Sequence, residues 1–169
     1  MTVAMQQLIL TMQGIADALH EAVYSTRDVE AALAVFADDA TLETLPLSAA
    51  ARSGDELRRH LTEDVLPHLP ADLTSRRVSR TADIRRLADE RVFTFTHDRE
   101  LPWLLPGAAP THRPAEVRAI SLVGFRHRTR GAVTASLITS HRTLWDHSSL
   151  LAQLRLDHAA SGTSSSAVA

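Results

Sequence analysis

The sequence predicts a single α+β domain in which helices cover one face of a strongly curved antiparallel sheet. Two observations carry this prediction: apolar residues recur at helical spacing between Val3 and Val65, and alternation with period two dominates after Pro70. A sheet that curves more than its helices can fill encloses a pocket, so we also predict an apolar cavity. The length fits one domain over residues 1–158, and the composition of residues 159–169, AASGTSSSAVA, is typical of a disordered tail.

Three helices are predicted in the N-terminal part. Apolar side chains recur at spacings of three and four from Val3 to about Ser25, as in a long amphipathic helix. Asp28 can N-cap a second, shorter helix that includes Phe36 and ends before Asp38. Residues 53–56, SGDE, form a capping box for a third helix with leucine and valine on one face.

The strands are predicted from alternating segments bounded by polar turns. Residues 40–47, ATLETLPL, form one short strand between the second and third helices. Four further segments are rich in Val, Ile, Thr and Phe: 72–87, 91–101, 115–128 and 132–145. Turns at 88–90 (ADE) and 129–131 (TRG) would join consecutive strands into hairpins, and SLLAQLRL, 149–156, forms a closing helix.

Composition excludes several classes of function. With 18 basic and 20 acidic residues, the net charge of −2 gives no indication of a polyanionic partner such as a nucleic acid. There is no cysteine, which excludes a disulfide framework, a thiolate nucleophile and a cysteine-bound metal. No segment is apolar for the roughly 20 residues of a membrane span, and no signal peptide is visible, so we expect a cytoplasmic protein without a membrane partner. No phosphate loop, nucleophile elbow or zinc motif is present, and we expect no cofactor and no metal.

Two histidines end apolar faces of predicted strands. His97 follows Phe93 and Phe95 at every second position, and His141 follows the alternate positions from Val133. If these faces look into the cavity, both imidazoles line it and can transfer protons near neutral pH. Alternatively, both are hydrogen-bonded residues near a sheet edge.

Asp146 lies where the last strand meets the closing helix, and the sequence leaves two roles open. It can cap the helix, although Ser148 and Ser149 could do so instead. It can also act as an acid or base, because Trp145 and the leucines that follow would desolvate it and raise its pKa.

A proline-rich segment, LPWLLPGAAPTHRP at 101–114, cannot form regular structure, yet Trp103 and its neighbouring leucines favour burial. We predict a packed loop between two strands, which could be a lid or a dimer contact. His60, Asp64 and His68 have helical spacing, but a solvated helix face explains them better than a metal site. The residues expected to contact a substrate are Tyr24, Phe95, Arg99, Trp103, Trp145 and His147.

Four phrases resemble the SnoaL-like branch of the nuclear-transport-factor-2-like (NTF2-like) superfamily: ALAVFADDATLETLPL, GDELRRHL, FTFTHDRELPWLLPGAAPT and LWDHSSLLAQL. They extend over most of residues 28–156. The resemblance implies a cone-shaped α+β barrel around an apolar cavity, and a homodimer. In SnoaL-like polyketide cyclases, an aspartate seven residues before the Gln of a QLG-like phrase is the acid/base of an aldol closure. Asp146 stands seven residues before Gln153, so the resemblance implies this role for Asp146, although Arg155 and His147 depart from the family pattern.

These observations predict a cofactor-independent cyclase or isomerase that acts on a hydrophobic small molecule, such as a polyketide or terpenoid intermediate. Asp146 would move the proton, while His97 and His141 would orient the substrate, exchange protons or stabilise an oxyanion. Opening of an epoxide would use the same groups. The alternative function is a non-catalytic module of the same fold that binds a small molecule or serves as a dimer platform.

Overall fold

A computed structural model of the chain describes residues 2–47, 49–52, 54–130 and 133–156. Ser53 of the predicted capping box, Gly131 of the predicted TRG turn and the predicted tail 159–169 lie outside the described residues. The predicted α+β class is confirmed: helices pack on one six-stranded sheet, which is curled rather than closed into a barrel.

The first helix begins where predicted. Helix α1 (Val3–His20) is capped by Thr2, whose hydroxyl accepts from the Met5 amide, and a wider helical turn, Glu21–Ser25, extends it. Helix α2 (Val29–Leu33) is capped by Asp28, which accepts from the Ala31 amide at 3.0 Å. The prediction that α2 includes Phe36 is wrong, because the chain leaves the helix after Leu33 and enters a strand at Phe36. A helix this short is weakly favoured by itself, and Phe36 is buried by pairing in the sheet instead.

The third helical segment follows the predicted pattern. Helix α3 (Gly54–Arg59) continues as a wider turn, His60–Val65, and ends in a tight turn, Leu66–His68, that contains Pro67. The apolar side chains predicted for one face of this segment are buried: Leu57, Leu61 and Val65.

The sheet has the order β2-β1-β6-β5-β4-β3. Its strands are β1 (Phe36–Leu45), β2 (Ala49–Ala51), β3 (Thr74–Ala82), β4 (Arg86–Thr96), β5 (Pro114–Arg130) and β6 (Val133–Trp145). Strands β3 to β6 form the predicted antiparallel meander. The prediction of an antiparallel sheet is wrong for one strand pair, since β1 runs parallel to β6. This pairing joins the first strand of the chain to the last.

The turn predicted at residues 88–90 is wrong. These residues lie inside β4, and the hairpin turns at Asp83–Arg85, where the Asp83 carboxylate accepts from the Arg85 and Arg86 amides at 2.7 and 2.8 Å. An aspartate that bonds its own following backbone closes a turn without glycine. Asp89 therefore sits in mid-strand, opposite Arg80 on β3 and Ser121 on β5.

A register shift changes which face of β6 points inward. Gly124 of β5 pairs with Ser140, but the next residue, Phe125, pairs with Ile138, so Thr139 has no partner in the ladder. A Cβ atom at position 124 would lie 2.5 Å from the Ser140 hydroxyl oxygen, which is a steric clash, so glycine fits this position. The prediction that alternate residues from Val133 to His141 share one face is consequently wrong. Before the shift the buried residue is the even-numbered Ile138, and after it the inner face carries the odd-numbered His141 and Trp145.

The proline-rich segment is a packed loop between β4 and β5, as predicted. Four of its side chains are buried: Leu101, Trp103, Leu104 and Leu105. Helix α4 (His147–Leu154) closes the fold against β5, where Gln153 accepts from the Glu116 amide at 2.9 Å and donates to its carbonyl at 2.8 Å. Among the described helices, none combines the length and apolar character needed to cross a membrane.

Candidate functional site

A cavity of about 80 Å³ lies between helix α1 with its extension and the inner face of strands β4, β5 and β6. Its wall is mostly apolar and includes Phe36 and a group of four further aromatic rings, Tyr24, Phe93, Trp103 and Trp145. The rings are in contact, with centroids 5.0 Å apart for Tyr24 and Phe93, 4.8 Å for Phe93 and Trp145, and 5.4 Å for Trp145 and Trp103. These separations are normal for packed aromatic pairs.

One side of the cavity is a network of charged side chains centred on Asp89. Its carboxylate accepts from Arg77 Nε and Arg80 Nε at 3.1 Å each, from Arg80 Nη2 at 2.7 Å and from Arg91 Nε at 3.0 Å. Asp17 of α1 joins the network through Arg80 at 2.8 Å and through a contact with Arg77. The network therefore ties helix α1 to the β3–β4 hairpin.

Asp89 is ionised in this setting. Burial alone would raise its pKa, but the hydrogen bonds from Arg80 and Arg91 outweigh burial and lower the pKa below its usual range. Four donors occupy the positions at which the two carboxylate oxygens can accept. Asp89 is thus an electrostatic anchor rather than a base with a free lone pair.

His20 of α1 lines the cavity beside this network. Its Nε2 lies 3.1 Å from Arg91 Nη1 and 2.7 Å from the Ser75 hydroxyl. A guanidinium can only donate, so Nε2 is the acceptor and the ring proton of the neutral imidazole resides on Nδ1. Burial and the charge of Arg91 lower the pKa of His20 to about 4, which agrees with a neutral ring at pH 7.

His141 of β6 lines the cavity as the sequence predicts. Its Nδ1 approaches the Thr143 hydroxyl at 3.5 Å, and its Nε2 forms no hydrogen bond with the described residues. Burial lowers the pKa of His141 to about 4, although the charge of Asp89 acts in the opposite direction. The imidazole is therefore neutral at pH 7 and retains a nitrogen available to a ligand.

Two hydrogen-bond donors in the wall also lack partners. The indole Nε1 of Trp103 is buried without a hydrogen-bond partner in the described part of the chain. The Tyr24 hydroxyl makes no hydrogen bond there either, and burial raises its pKa to about 12, so it keeps its proton at pH 7. A buried donor without a partner, such as the Trp103 Nε1, costs free energy.

His97 does not line this cavity, contrary to the prediction. It is fully buried at the base of the proline-rich loop, and its Nδ1 accepts from the Thr111 amide at 3.3 Å. Its backbone pairs with Arg113 and His112 across the loop. Burial lowers the pKa of His97, and its Nε2 has no hydrogen-bond partner among the described residues. Its contacts hold the two ends of the loop together.

Asp146 also lies outside the cavity. Its exposed side chain caps α4 by accepting from the Ser149 amide at 3.2 Å, and the Ser148 hydroxyl donates to it at 3.4 Å. The expectation that Trp145 desolvates this carboxylate is wrong, because Trp145 points into the core while Asp146, the next residue, points to solvent. Of the two roles left open, its contacts are those of a cap.

The residues predicted to contact a substrate divide into two groups. Tyr24, Trp103 and Trp145 line the cavity. Phe95 is buried outside its wall, Arg99 pairs with the neighbouring Asp98 at 2.9 Å, and His147 contacts the Leu104 carbonyl at 3.1 Å. His60 lines the cavity and bonds Asp64 at 2.9 Å, whereas His68 is outside the wall.

The sequence reasoning missed Asp89 and Arg91. A usable signal was present, because Leu87, Asp89, Arg91 and Phe93 occupy alternate positions and share the inner face of β4. The polar triplet at residues 88–90 was instead interpreted as a turn.

Solved structures share this architecture. A candidate SnoaL-like polyketide cyclase from Jannaschia sp. CCS1 has a TM-score of 0.67 at 11% identity, over 91% of this chain and 95% of the other. The chain therefore shares the fold of this protein. IdmH, a candidate polyketide cyclase from Streptomyces antibioticus, has a TM-score of 0.58 at 22% identity, over 85% of this chain and 97% of IdmH.

A third structure is SalBIII, described as an epoxide hydrolase/cyclase-like enzyme in pyran ring formation in the polyether salinomycin. It has a TM-score of 0.59 at 15% identity, and the match covers 83% of this chain and 94% of SalBIII. At such identities the likeness shows the fold alone. No protein-family model and no curated protein sequence matches the chain.

Proposed function

We propose that this protein is a cofactor-independent cyclase or isomerase that transfers protons on a hydrophobic small molecule, of the polyketide or terpenoid kind. The observation that carries the proposal is a neutral imidazole, His141, whose Nε2 has no hydrogen-bond partner among the described residues. It lines an aromatic cavity together with Tyr24 and Trp103, whose donors also lack partners in that part of the chain. A base, an acid and oxyanion donors within a dry cavity are sufficient for such chemistry. The SnoaL-like fold, which candidate polyketide cyclases share, supports a role of this type.

In this proposal His141 replaces Asp146 and His97 as the acid/base. Its Nε2 removes a proton from the carbon next to a substrate carbonyl, while Tyr24 and Trp103 donate to the oxygen that becomes an enolate. In an isomerisation, the imidazolium returns the proton at another carbon. In an aldol closure, the enolate carbon bonds to a second carbonyl carbon, and the imidazolium protonates the resulting alkoxide.

Opening of an epoxide by an internal hydroxyl would use the same three groups. His141 would remove the hydroxyl proton as the hydroxyl oxygen attacks the epoxide carbon and the epoxide C–O bond breaks. Tyr24 and Trp103 would donate hydrogen bonds to the departing oxygen, which then takes the proton from the His141 imidazolium. Direct attack by Asp89 is disfavoured, because its oxygens already accept four hydrogen bonds from arginines.

The cavity volume limits how a substrate binds. Pockets that enclose drug-sized ligands have volumes of about 300–1,000 Å³, well above the roughly 80 Å³ enclosed here. In the described conformation, only the reacting end of a polyketide-sized substrate fits inside. We therefore place the reacting carbonyl in the cavity and the remaining atoms at its opening.

The experiment compares small-molecule extracts of the native host carrying wild-type protein or His141→Gln at equal protein level. Loss of a product with accumulation of a precursor of the same mass would support a cyclase or isomerase; a mass difference of one water would indicate hydration or dehydration. His68→Gln is the matched control, because His68 lies outside the cavity wall. Unchanged extracts from His141→Gln would contradict the proposal and favour the alternative, a non-catalytic binding or dimerisation module.

We also propose a homodimer formed through the outer face of the sheet. Three large apolar side chains are exposed there, Ile120 at 41%, Leu122 at 43% and Leu144 at 40%. Ile120 and Leu144 are paired across β5 and β6, so these side chains form one exposed apolar patch. Analytical ultracentrifugation should give a dimer for the wild type and a monomer for Leu122→Asp; a wild-type monomer at micromolar concentration would contradict this assembly.

A further inference from the structure

The charged network beside the cavity does not balance. Among the described residues it contains three guanidinium groups, those of Arg77, Arg80 and Arg91, but two carboxylates, those of Asp17 and Asp89. The neutral ring of His20 adds no charge. One positive charge in this network is therefore uncompensated.

Arg91 brings that charge to the cavity. Its Nε donates to Asp89, and its Nη1 donates to His20 and to the Ser75 hydroxyl at 3.2 Å. Its Nη2 makes no hydrogen bond with the described residues and lies 3.8 Å from a carboxylate oxygen of Asp17, beyond hydrogen-bond distance. The Arg91 side chain is only 13% exposed and lines the cavity.

We infer that the cavity binds a ligand carrying a carboxylate, which Arg91 holds through its Nη2 group. This inference rests on the proposed function and adds the chemical class of its substrate. The aromatic wall would take the apolar part of the ligand and Arg91 its anionic group. A guanidinium with free N–H groups at a mostly buried position favours an anion over a neutral amide of the same shape, because charge-assisted hydrogen bonds are the stronger ones.

The test uses matched acid and amide pairs of increasing size at pH 7: acetate with acetamide, butyrate with butyramide, and benzoate with benzamide. Each pair has nearly the same shape and differs in charge. Trp103 and Trp145, which both line the cavity, are the only tryptophans in the chain, so intrinsic fluorescence reports binding there. We expect at least one acid to bind saturably, with a Kd about 10- to 100-fold below that of its amide.

Substitutions assign the preference to Arg91. Arg91→Met should abolish the difference between acid and amide, whereas Arg76→Met should preserve it, because Arg76 is exposed and lies outside the cavity wall. If Arg91→Met does not fold, Arg91→Lys retains the charge without the planar fork and should reduce the preference. The wild-type comparison of acids and amides requires no variant.

Three results would overturn the inference: equal binding of acid and amide in every pair, no saturable binding by any acid, or an acid preference as large as that of the wild type in a folded Arg91→Met or Arg91→Lys protein. The proposed function can fail independently. Altered host extracts from His141→Gln without acid preference would refute only the carboxylate, while acid preference with unchanged extracts would leave a binding protein for small carboxylates.

Discussion

Replacing Asp89 by asparagine is the most direct perturbation of the network beside the cavity. The substitution keeps the shape of the side chain but removes its charge and puts an NH₂ group where an oxygen accepts from arginine. Three guanidinium groups would then share Asp17 as their remaining carboxylate partner.

The cost can be estimated from burial and hydrogen bonding. The side chains of Asp89 and Arg80 are each 8% exposed, and four N–H groups donate to Asp89 over 2.7–3.1 Å. Breaking a buried ion pair by removing one partner costs about 3–5 kcal/mol. At about 2–4 °C per kcal/mol for a chain of this length, we expect Asp89→Asn to lower the Tm by about 6–20 °C.

Urea unfolding at pH 7, followed by far-UV circular dichroism and by tryptophan fluorescence, measures the expected loss of about 3–5 kcal/mol in the free energy of unfolding. Asp39→Asn is the matched control, because Asp39 also accepts two hydrogen bonds from an arginine, Arg126, at 3.0 and 2.8 Å, but its side chain is 63% exposed. We expect the control to unfold at nearly the wild-type urea concentration, since exposed ion pairs contribute little. An Asp89→Asn midpoint equal to that of the control would refute the reasoning.

Two further predictions concern acid and the helix cap. Burial lowers the pKa of His20 and His141 to about 4, so the unfolded chain binds more protons than the fold between about pH 6.5 and pH 4. The free energy of unfolding should therefore decrease by a few kcal/mol as the pH is lowered over that interval. Urea unfolding at a series of pH values measures this decrease, which should be smaller for His141→Gln. An equal decrease in wild type and His141→Gln would contradict the prediction. Asp146→Ala should cost about 1 kcal/mol by removing the acceptor of the Ser149 amide, while Asp146→Asn stays near wild type; loss of the host product in Asp146→Asn would restore the catalytic interpretation.

Local patterns predicted most of the fold because they act within a few residues. The apolar spacing of α1, the Asp28 cap and the alternation of β3 to β6 each depend on neighbours along the chain. Phe36 was misplaced because its partner in the sheet, Ile138, is about a hundred residues away. The inward-facing residues of β6 were predicted incorrectly for a related reason. The register shift opposite Gly124 arises from the pairing of β5 with β6, and the sequence of neither strand alone indicates it.

The site was predicted only in part. His141, Tyr24 and the two tryptophans were found because ionisable or aromatic residues on apolar faces are visible in sequence. Asp89 was not, since its interior position is stabilised by arginines 2, 9 and 12 residues away and by Arg80 linking it to Asp17 of a distant helix. Asp146 was assigned from the resemblance, yet the neighbouring Trp145 takes the inward position and leaves Asp146 in solvent.

The parallel pairing of β1 with β6 has a consequence for synthesis on the ribosome. Glu43 and Arg142, which form an ion pair across these strands at 2.6 Å, are 99 residues apart in sequence. Strand β1 therefore emerges long before the neighbour that fixes it, and until then the early helices have no completed sheet to cover. Until β6 is synthesised, the charged side chains of β1 disfavour association with other nascent chains; these are Asp38, Asp39 and Glu43. The domain should acquire its structure only after β6 has been synthesised, and slowly, as chains with distant contacts do.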